Sequence, residues 1–184
     1  MKVFKEIMSW VIPILVGLLV ALLIRQFVFT FARVDGPSME PNLVNKERLI
    51  VWRHAKIKHL SVIVFDAHGE DPTATKPKTD YVKRVIGLPG DTVSSKNGNI
   101  YVNGNVVPQK FISMSERTTG TGNWNLKSLS KSWDQNTNAT KVPKGEYFVL
   151  GDHRSVSNDG RYWDFVPKKK ITGVAKTFFW ETNK

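Results

Sequence analysis

Ser38 is set in Gly36-Pro37-Ser38-Met39-Glu40-Pro41, between two prolines that fix φ and beside a glycine that lets another chain approach closely. A hydroxyl held this rigidly suits a nucleophile presented to a backbone carbonyl, although the same residues also describe a plain turn between two elements. A serine nucleophile needs a base. His54, His59, His68 and His153 form no H-x-x-x-H or H-x-E pattern, and no G-x-S-x-G elbow exists, so only the bare presence of four histidines leaves a Ser-His-Asp triad open. Lysine is the other candidate. In Tyr81-Val82-Lys83-Arg84-Val85-Ile86, strand alternation puts Tyr81, Lys83 and Val85 on one face and Val82, Arg84 and Ile86 on the other. One of the two cations must therefore point toward the apolar interior or a cleft, unless both snorkel at the surface. Bringing a lysine from about 10.4 down to about 8 costs on the order of 3 kcal/mol, which desolvation and a neighbouring positive charge can supply.

Composition narrows the chemistry further. The 184 residues contain no Cys, which removes disulfides, thiolate nucleophiles, cysteine zinc sites and iron–sulfur clusters together. Carboxylates at metal-ligand spacing are missing too, and no P-loop or paired-glycine dinucleotide fingerprint occurs. Neither a metal nor a cofactor is expected. Lys and Arg number 27 against 16 Asp and Glu, a net charge of +11 that points to an anionic partner: nucleic acid, lipid head groups or an acidic wall polymer.

The segment that precedes Ser38 decides among these partners. From Trp10 to Ile24 no charged residue occurs, and from Trp10 to Ala32 only Arg25, Gln26 and Thr30 interrupt an apolar run. Fifteen helical residues reach roughly 22 Å against a hydrocarbon core of about 30 Å, so the expected span also takes in Phe27, Val28, Phe29 and Phe31, with Arg25 snorkelling to a head group. A buried core helix fits poorly because apolar residues cover every face. A cleaved signal peptide fits Lys2, Lys5 and the weak site Thr30-Phe31-Ala32. A single uncleaved anchor over residues 1–33, with a cytoplasmic N-terminus and residues 34–184 outside the cell membrane, is the reading adopted. Four basic residues and one acidic residue precede residue 34, so the exposed part keeps a charge of +8. An outward-facing domain makes anionic membrane lipid a plausible partner and excludes nucleic acid.

Beyond Arg33, Val-, Ile-, Phe- and Tyr-rich runs alternate with turn residues: 48–52, 61–65, 81–86, 91–95, 100–107, 145–150 and 171–179. Leu88-Pro89-Gly90-Asp91 and Lys96-Asn97-Gly98-Asn99 are turns, and Asn103-Gly104 centres a tight hairpin. The predicted fold class is mainly β, an antiparallel β-sheet domain preceded by one N-terminal transmembrane helix. His68 to Thr79 and Thr118 to Thr140 read as exposed loops, the second packed down by Trp124 and Trp133.

Taken together, these segments resemble the type I signal peptidases, membrane-bound Ser-Lys peptidases that release signal peptides from exported pre-proteins. Ser38-Met39-Glu40-Pro41-Asn42-Leu43 is similar to the family's S-M-x-P-T-L box, with Asn42 in place of Thr. Tyr81 to Asp91 matches the lysine box almost letter for letter, and Gly151-Asp152-His153-Arg154, Ser157, Asp159 and Arg161 resemble G-D-N-R-x-x-S-x-D-S-R. His153 and Gly160 depart from that last box. Lys58 to Phe65 replaces the usual R-G-D-I-V-V-F strand, and Gly36 stands where some members carry an oxyanion-binding serine. The resemblance implies Ser38 as nucleophile, Lys83 as general base, Ser157 as hydrogen-bond partner of the amine, and salt bridges of Asp159 with Arg161 and Asp152 with Arg154. It implies Gly36 and Met39 at the substrate site, with the Ser38 N–H taking more of the oxyanion, and substrates with small residues first and third before the cut. Two other classes stay open: a self-cleaving Ser-Lys repressor, and a tethered basic β domain that binds wall polymer or anionic lipid without turnover.

Overall fold

The computed structural model describes residues 2–177, with residues 2–5 traced by backbone alone. Helix α1 (Lys2–Phe27) is followed by β1 (Phe29–Arg33), β2 (Arg48–Trp52), β3 (Val62–Asp66), β4 (Asp80–Gly87), β5 (Val93–Lys96), β6 (Asn99–Val102) and β7 (Asn105–Val106). Then come β8 (Trp124–Asn125), α2 (Leu126–Leu129), β9 (Glu146–Leu150), α3 (Gly160–Trp163), β10 (Val166–Pro167) and β11 (Ile171–Thr177). The predicted strand 171–179 extends past this point, where residues 178–179 lie outside the described residues. Among the described residues every ladder between these strands is antiparallel. A seven-stranded sheet runs β1-β2-β11-β3-β4-β9-β10, and a four-stranded sheet runs β7-β6-β5-β8.

The α1 helix corrects one boundary. Its apolar stretch Glu6–Phe27 spans 22 residues and is not covered by the rest of the chain, so at about 1.5 Å per residue it matches the hydrocarbon thickness without Phe29 or Phe31. Those two residues instead enter β1, paired with Trp52 and Ile50 of β2. Aromatic and β-branched side chains fit a half-buried pleated surface, and Phe29 packs on both Phe31 and Trp52 with centroids 5.6 and 5.9 Å apart. The helix therefore ends before Arg33, and residues 29–33 belong to the sheet.

The centre of the large sheet is buried on both faces. Ile63, Phe65 and Val85 join Val149 and Trp163 in one cluster. Val64 and Val82 join Met39, Leu43, Leu49 and Val51 in another. Strand alternation alone sorts these residues, and the turn that carries Ser38 is held by the second cluster through Met39. A third cluster, with Phe148, Trp133, Leu126 and Phe165, joins the small sheet to the large one.

The expectation for 118–140 is half met. Trp133 and Leu126 are buried, so the segment is packed down as expected, but it is not a simple exposed loop. It contains β8 and α2, and Asn125 and Ser128 cap α2 reciprocally, a use of Asn and Ser that polar composition alone does not separate from a coil. The 68–79 excursion likewise buries Asp71 and Ala74.

Candidate active site

The Ser38 turn is fixed from both sides. Glu40 N–H donates to Pro37 O at 3.0 Å and Leu43 N–H to Met39 O at 3.0 Å, while the backbone N–H of His153 donates to Ser38 O at 3.1 Å. Gly36 adopts φ 85°, a left-handed conformation in which a serine would be strained, and a Cβ there would meet open space. Met39 is fully buried beneath the turn. His153 Nδ1 lies 3.3 Å from Pro37 O, so the residue that departs from the family pattern still touches the serine turn.

Lys83 occupies the interior face of β4 and is 4% exposed, while Arg84 turns to the other face. Its Nζ hydrogen-bonds Ser38 Oγ at 2.7 Å, joining residues 45 positions apart. Burial lowers the amine from its ordinary 10.5 to about 8; Asp159, Asp71 and Asp152 pull it upward, and Arg161 pushes it down. Desolvation is the main cause, and the neighbouring Arg161 cation adds a smaller push in the same direction. A hydroxyl in contact with an amine that is largely neutral at mildly alkaline pH can lose its proton to it, which is the chemistry of an activated serine nucleophile.

The acidic and basic residues of the 151–161 segment form the frame behind this pair. Asp159, with no exposed surface, caps α3 by accepting from Arg161 N–H. It also accepts from Gly151 N–H at 2.9 Å and from Arg161 Nε and Nη2 at 2.8 and 3.0 Å. Arg161 in turn donates to Gly120 O and Arg154 O at 2.8 and 2.6 Å, drawing the 116–120 turn onto the frame. The implied pairing of Asp159 with Arg161 is present.

Two implied contacts are not. Asp152 pairs with Arg84, whose Nε and Nη2 lie 2.7 and 2.5 Å from its oxygens and whose guanidinium stacks 4.2 Å over the Phe111 ring. Asn42 Nδ2, at the position where the family carries Thr, donates to the same carboxylate at 2.8 Å. Arg154 instead bonds Gly151 O, Gln109 Oε1 and Thr121 Oγ1 at 2.9, 2.8 and 3.1 Å, and burial lowers its guanidinium to about 10. Strand β4 places Arg84 opposite Leu150, two residues before Asp152, whereas Arg154 lies beyond the turn and points inward. Ser157 does not bond Lys83 either: its Oγ is buried and has no partner among the described residues.

A groove of about 230 Å³ opens beside the Ser38–Lys83 pair, lined by Val34, Met39, Val82 and Val156 on its apolar part, with Tyr81 and Asn158 also at its wall. The ladder between β4 and β9 covers Arg84 to Gly87, so Asp80 to Val82 have no β9 partner on this side. Sequence reasoning missed Arg84, Asn42, Asn158 and Asp71. Arg84 and Asn42 lie inside recognisable boxes and had a signal in them; Asp71 had none.

The model of the family described as "Signal peptidase, peptidase S26" matches residues 7–180. The chain belongs to that family of hydrolases. It is similar to signal peptidase IB of Staphylococcus aureus, 34% identical, with 96% of this chain and 91% of that protein covered. It is also similar to signal peptidase I P of Bacillus subtilis subsp. natto, 38% identical over 87% of this chain and 82% of that protein. Among solved structures, a signal peptidase I from Enterococcus faecalis V583 superposes with a TM-score of 0.54 at 31% identity, covering 65% of this chain and 97% of that one. In the S26 frame, the mainly antiparallel β architecture and the apolar N-terminal helix are both accounted for.

Proposed function

We propose that this S26 peptidase removes signal peptides from exported pre-proteins by a Ser38–Lys83 dyad, cleaving after small residues. The observation that carries the reading is the 2.7 Å contact between Ser38 Oγ and a buried Lys83 Nζ whose proton affinity is lowered to about 8. Neutral Lys83 takes the Ser38 hydroxyl proton as Oγ attacks the scissile carbonyl, and the oxygen that gains charge is held by the Ser38 N–H. The ammonium then returns its proton to the leaving nitrogen as the C–N bond breaks. Lys83, neutral again, takes a proton from water as its oxygen attacks the ester; the acyl C–Oγ bond then breaks and the ammonium returns that proton to Ser38 Oγ. No metal or cofactor takes part in these steps.

In this reading the substrate lies extended along the unpaired side of Asp80 to Val82, adding a strand to the sheet. The shallow apolar lining by Val34, Met39, Val82 and Val156 suits small side chains, in line with an A-x-A preference. Residues 34–184 contain the catalytic domain, with Asp152, Arg154, Asp159 and Arg161 supporting the dyad and Gly36 beside the substrate. The Glu6–Phe27 stretch anchors it with its N-terminus in the cytoplasm, and the basic domain leans on anionic head groups.

Incubating the detergent-solubilised protein with a pre-protein should give a shortened mature product and a released peptide ending in A-x-A, and Ser38→Ala should abolish both. Binding without turnover by the parent protein would overturn the reading. A second substitution tests the frame: at Gly151 a Cβ would stand 2.5 Å from Ser38 O and would collide with Ser157 Oγ. Gly151→Ala should therefore lower kcat by about tenfold or more through displacement of the nucleophile turn, measured by the same processing assay.

A further inference from the structure

Asp71 belongs to no recognised box. It sits in the excursion between β3 and β4, is 2% exposed, and no Lys, Arg or His side chain bonds it among the described residues. Its oxygens take four donors instead. Thr73 N–H and Oγ1 reach Oδ1 at 2.8 Å each, while Tyr81 Oη and Asn158 Nδ2 reach Oδ2 at 2.8 and 2.6 Å. A buried carboxylate without a cation is a costly way to fill space, and an apolar residue would serve packing better.

The two side chains gathered on Oδ2 explain its place. Tyr81 comes from β4, and its ring centroid lies 5.4 Å from Lys83 Nζ. Asn158 comes from the opposite wall, between Ser157 and Asp159, and both residues line the groove. Asp71 Oδ2 thus joins the wall that carries the amine to the wall that carries the frame, at the end of the groove beyond the last ladder pair of β4 with β9 at Arg84 and Leu150.

We propose that Asp71 is a positioning residue for Lys83: it clamps Tyr81 and Asn158 together so that the amine stays seated against Ser38. The proposal rests on the Ser-Lys reading above. The clamp also brings a negative charge toward an amine that Asp159, Asp152 and Arg161 face from the frame and the Tyr81 ring faces from its own strand. Asp71 thus opposes the desolvation that keeps the amine neutral, so its removal has two separable consequences, one geometric and one electrostatic.

The test uses the full-length, detergent-solubilised protein and a pre-protein substrate over pH 6 to 10. In Asp71→Asn the plateau kcat should fall by about tenfold as the clamp loosens. The acidic limb of the profile should move to lower pH by roughly half a unit, because an anion near the amine is gone. Tyr81→Phe keeps the ring and loses the tether; it should lower kcat severalfold and leave the acidic limb in place. The double variant should be no slower than Asp71→Asn alone. A drop in Tm with kcat and acidic limb both at parental values would make Asp71 a residue of structure only and overturn the proposal, as would additive effects in the double variant. If Asp71→Asn does not fold, Tyr81→Phe and Asn158→Ala carry the test, and parental kcat in both overturns it. Lys83→Ala separates the two levels: full processing by that variant removes the dyad itself, whereas failure at Asp71 leaves the dyad standing.

Discussion

Lys83→Met should inactivate the protein and, at neutral pH, make it more stable. The folded chain lowers the amine from 10.5 to about 8, and the side chain is almost entirely buried. The folded state therefore binds the proton less tightly than the unfolded chain, and stability rises with pH between these two values. Above 10.5 the amine is neutral in both states and carries no penalty; below about 8 it is charged in both, and the fold bears the full desolvation cost of about 3 kcal/mol. Methionine fills a similar volume without a charge. It gives up the hydrogen bond to Ser38 Oγ, worth about 1 kcal/mol, so a net gain of about 2 kcal/mol at pH 7 is expected, shrinking as pH climbs through 8 to 10.5. Urea unfolding of both proteins at pH 7 and pH 10 measures this. A variant that is less stable than the parent by the same amount at both values would show that the amine is charged and well solvated in the fold. Activity moves the other way. If Lys83 is the general base as proposed, its loss should remove about 10²- to 10⁴-fold in kcat, and the parent's kcat/KM should rise about tenfold per pH unit below about 8 before levelling.

The sequence pointed toward this trade of stability for a neutral amine because strand alternation puts two adjacent cations on opposite faces, and the fold turns Lys83 inward where both could have snorkelled. The two residues in contact, Ser38 and Lys83, and the order of the β strands were legible for a related reason: alternating apolar residues and Pro-Gly turns are local signals. Strand β2 falls on its predicted residues 48–52, and β4 extends its predicted run by one residue at each end. What escaped was set by contacts distant in sequence. No glycine or proline marks the change from helix to strand after Phe27; pairing of Phe29 and Phe31 with β2 decides it. The polar 118–140 segment concealed a cap and a buried Trp133, because Asn and Ser look alike in a coil and in a capping box. Arg84 and Arg154 were equally good partners for Asp152 by composition, and only the ladder of β4 with β9 brings Arg84 to it. Asp71 had no signal at all, since its meaning depends on Asn158, 87 positions away.

The frame behind the dyad leads to the other large effect, which concerns Asp159. Asp159→Ala should lower the unfolding free energy by about 3–5 kcal/mol, the usual consequence of leaving one member of a buried ion pair alone. The carboxylate is completely enclosed and receives Arg161 Nε and Nη2 together with the backbone N–H groups of Gly151 and Arg161. Without it the Arg161 guanidinium keeps, among the described residues, the carbonyls of Gly120, Arg154 and Ser157 and the Tyr162 ring, close to the buried Arg154. If the loss comes from the stranded cation, removing that cation must return part of it. The double variant Asp159→Ala/Arg161→Met should therefore unfold at higher urea than Asp159→Ala alone, although the missing cap of α3 still costs about 1 kcal/mol. A double variant weaker than either single one would mean that Arg161 stabilises the frame through its three carbonyls and not through Asp159. Asp159 is also the strongest anion acting on Lys83. The milder Asp159→Asn, which retains an acceptor for Gly151 N–H, should shift the acidic limb of processing downward by more than Asp71→Asn does, because the carboxylate with the greater pull on the amine has gone.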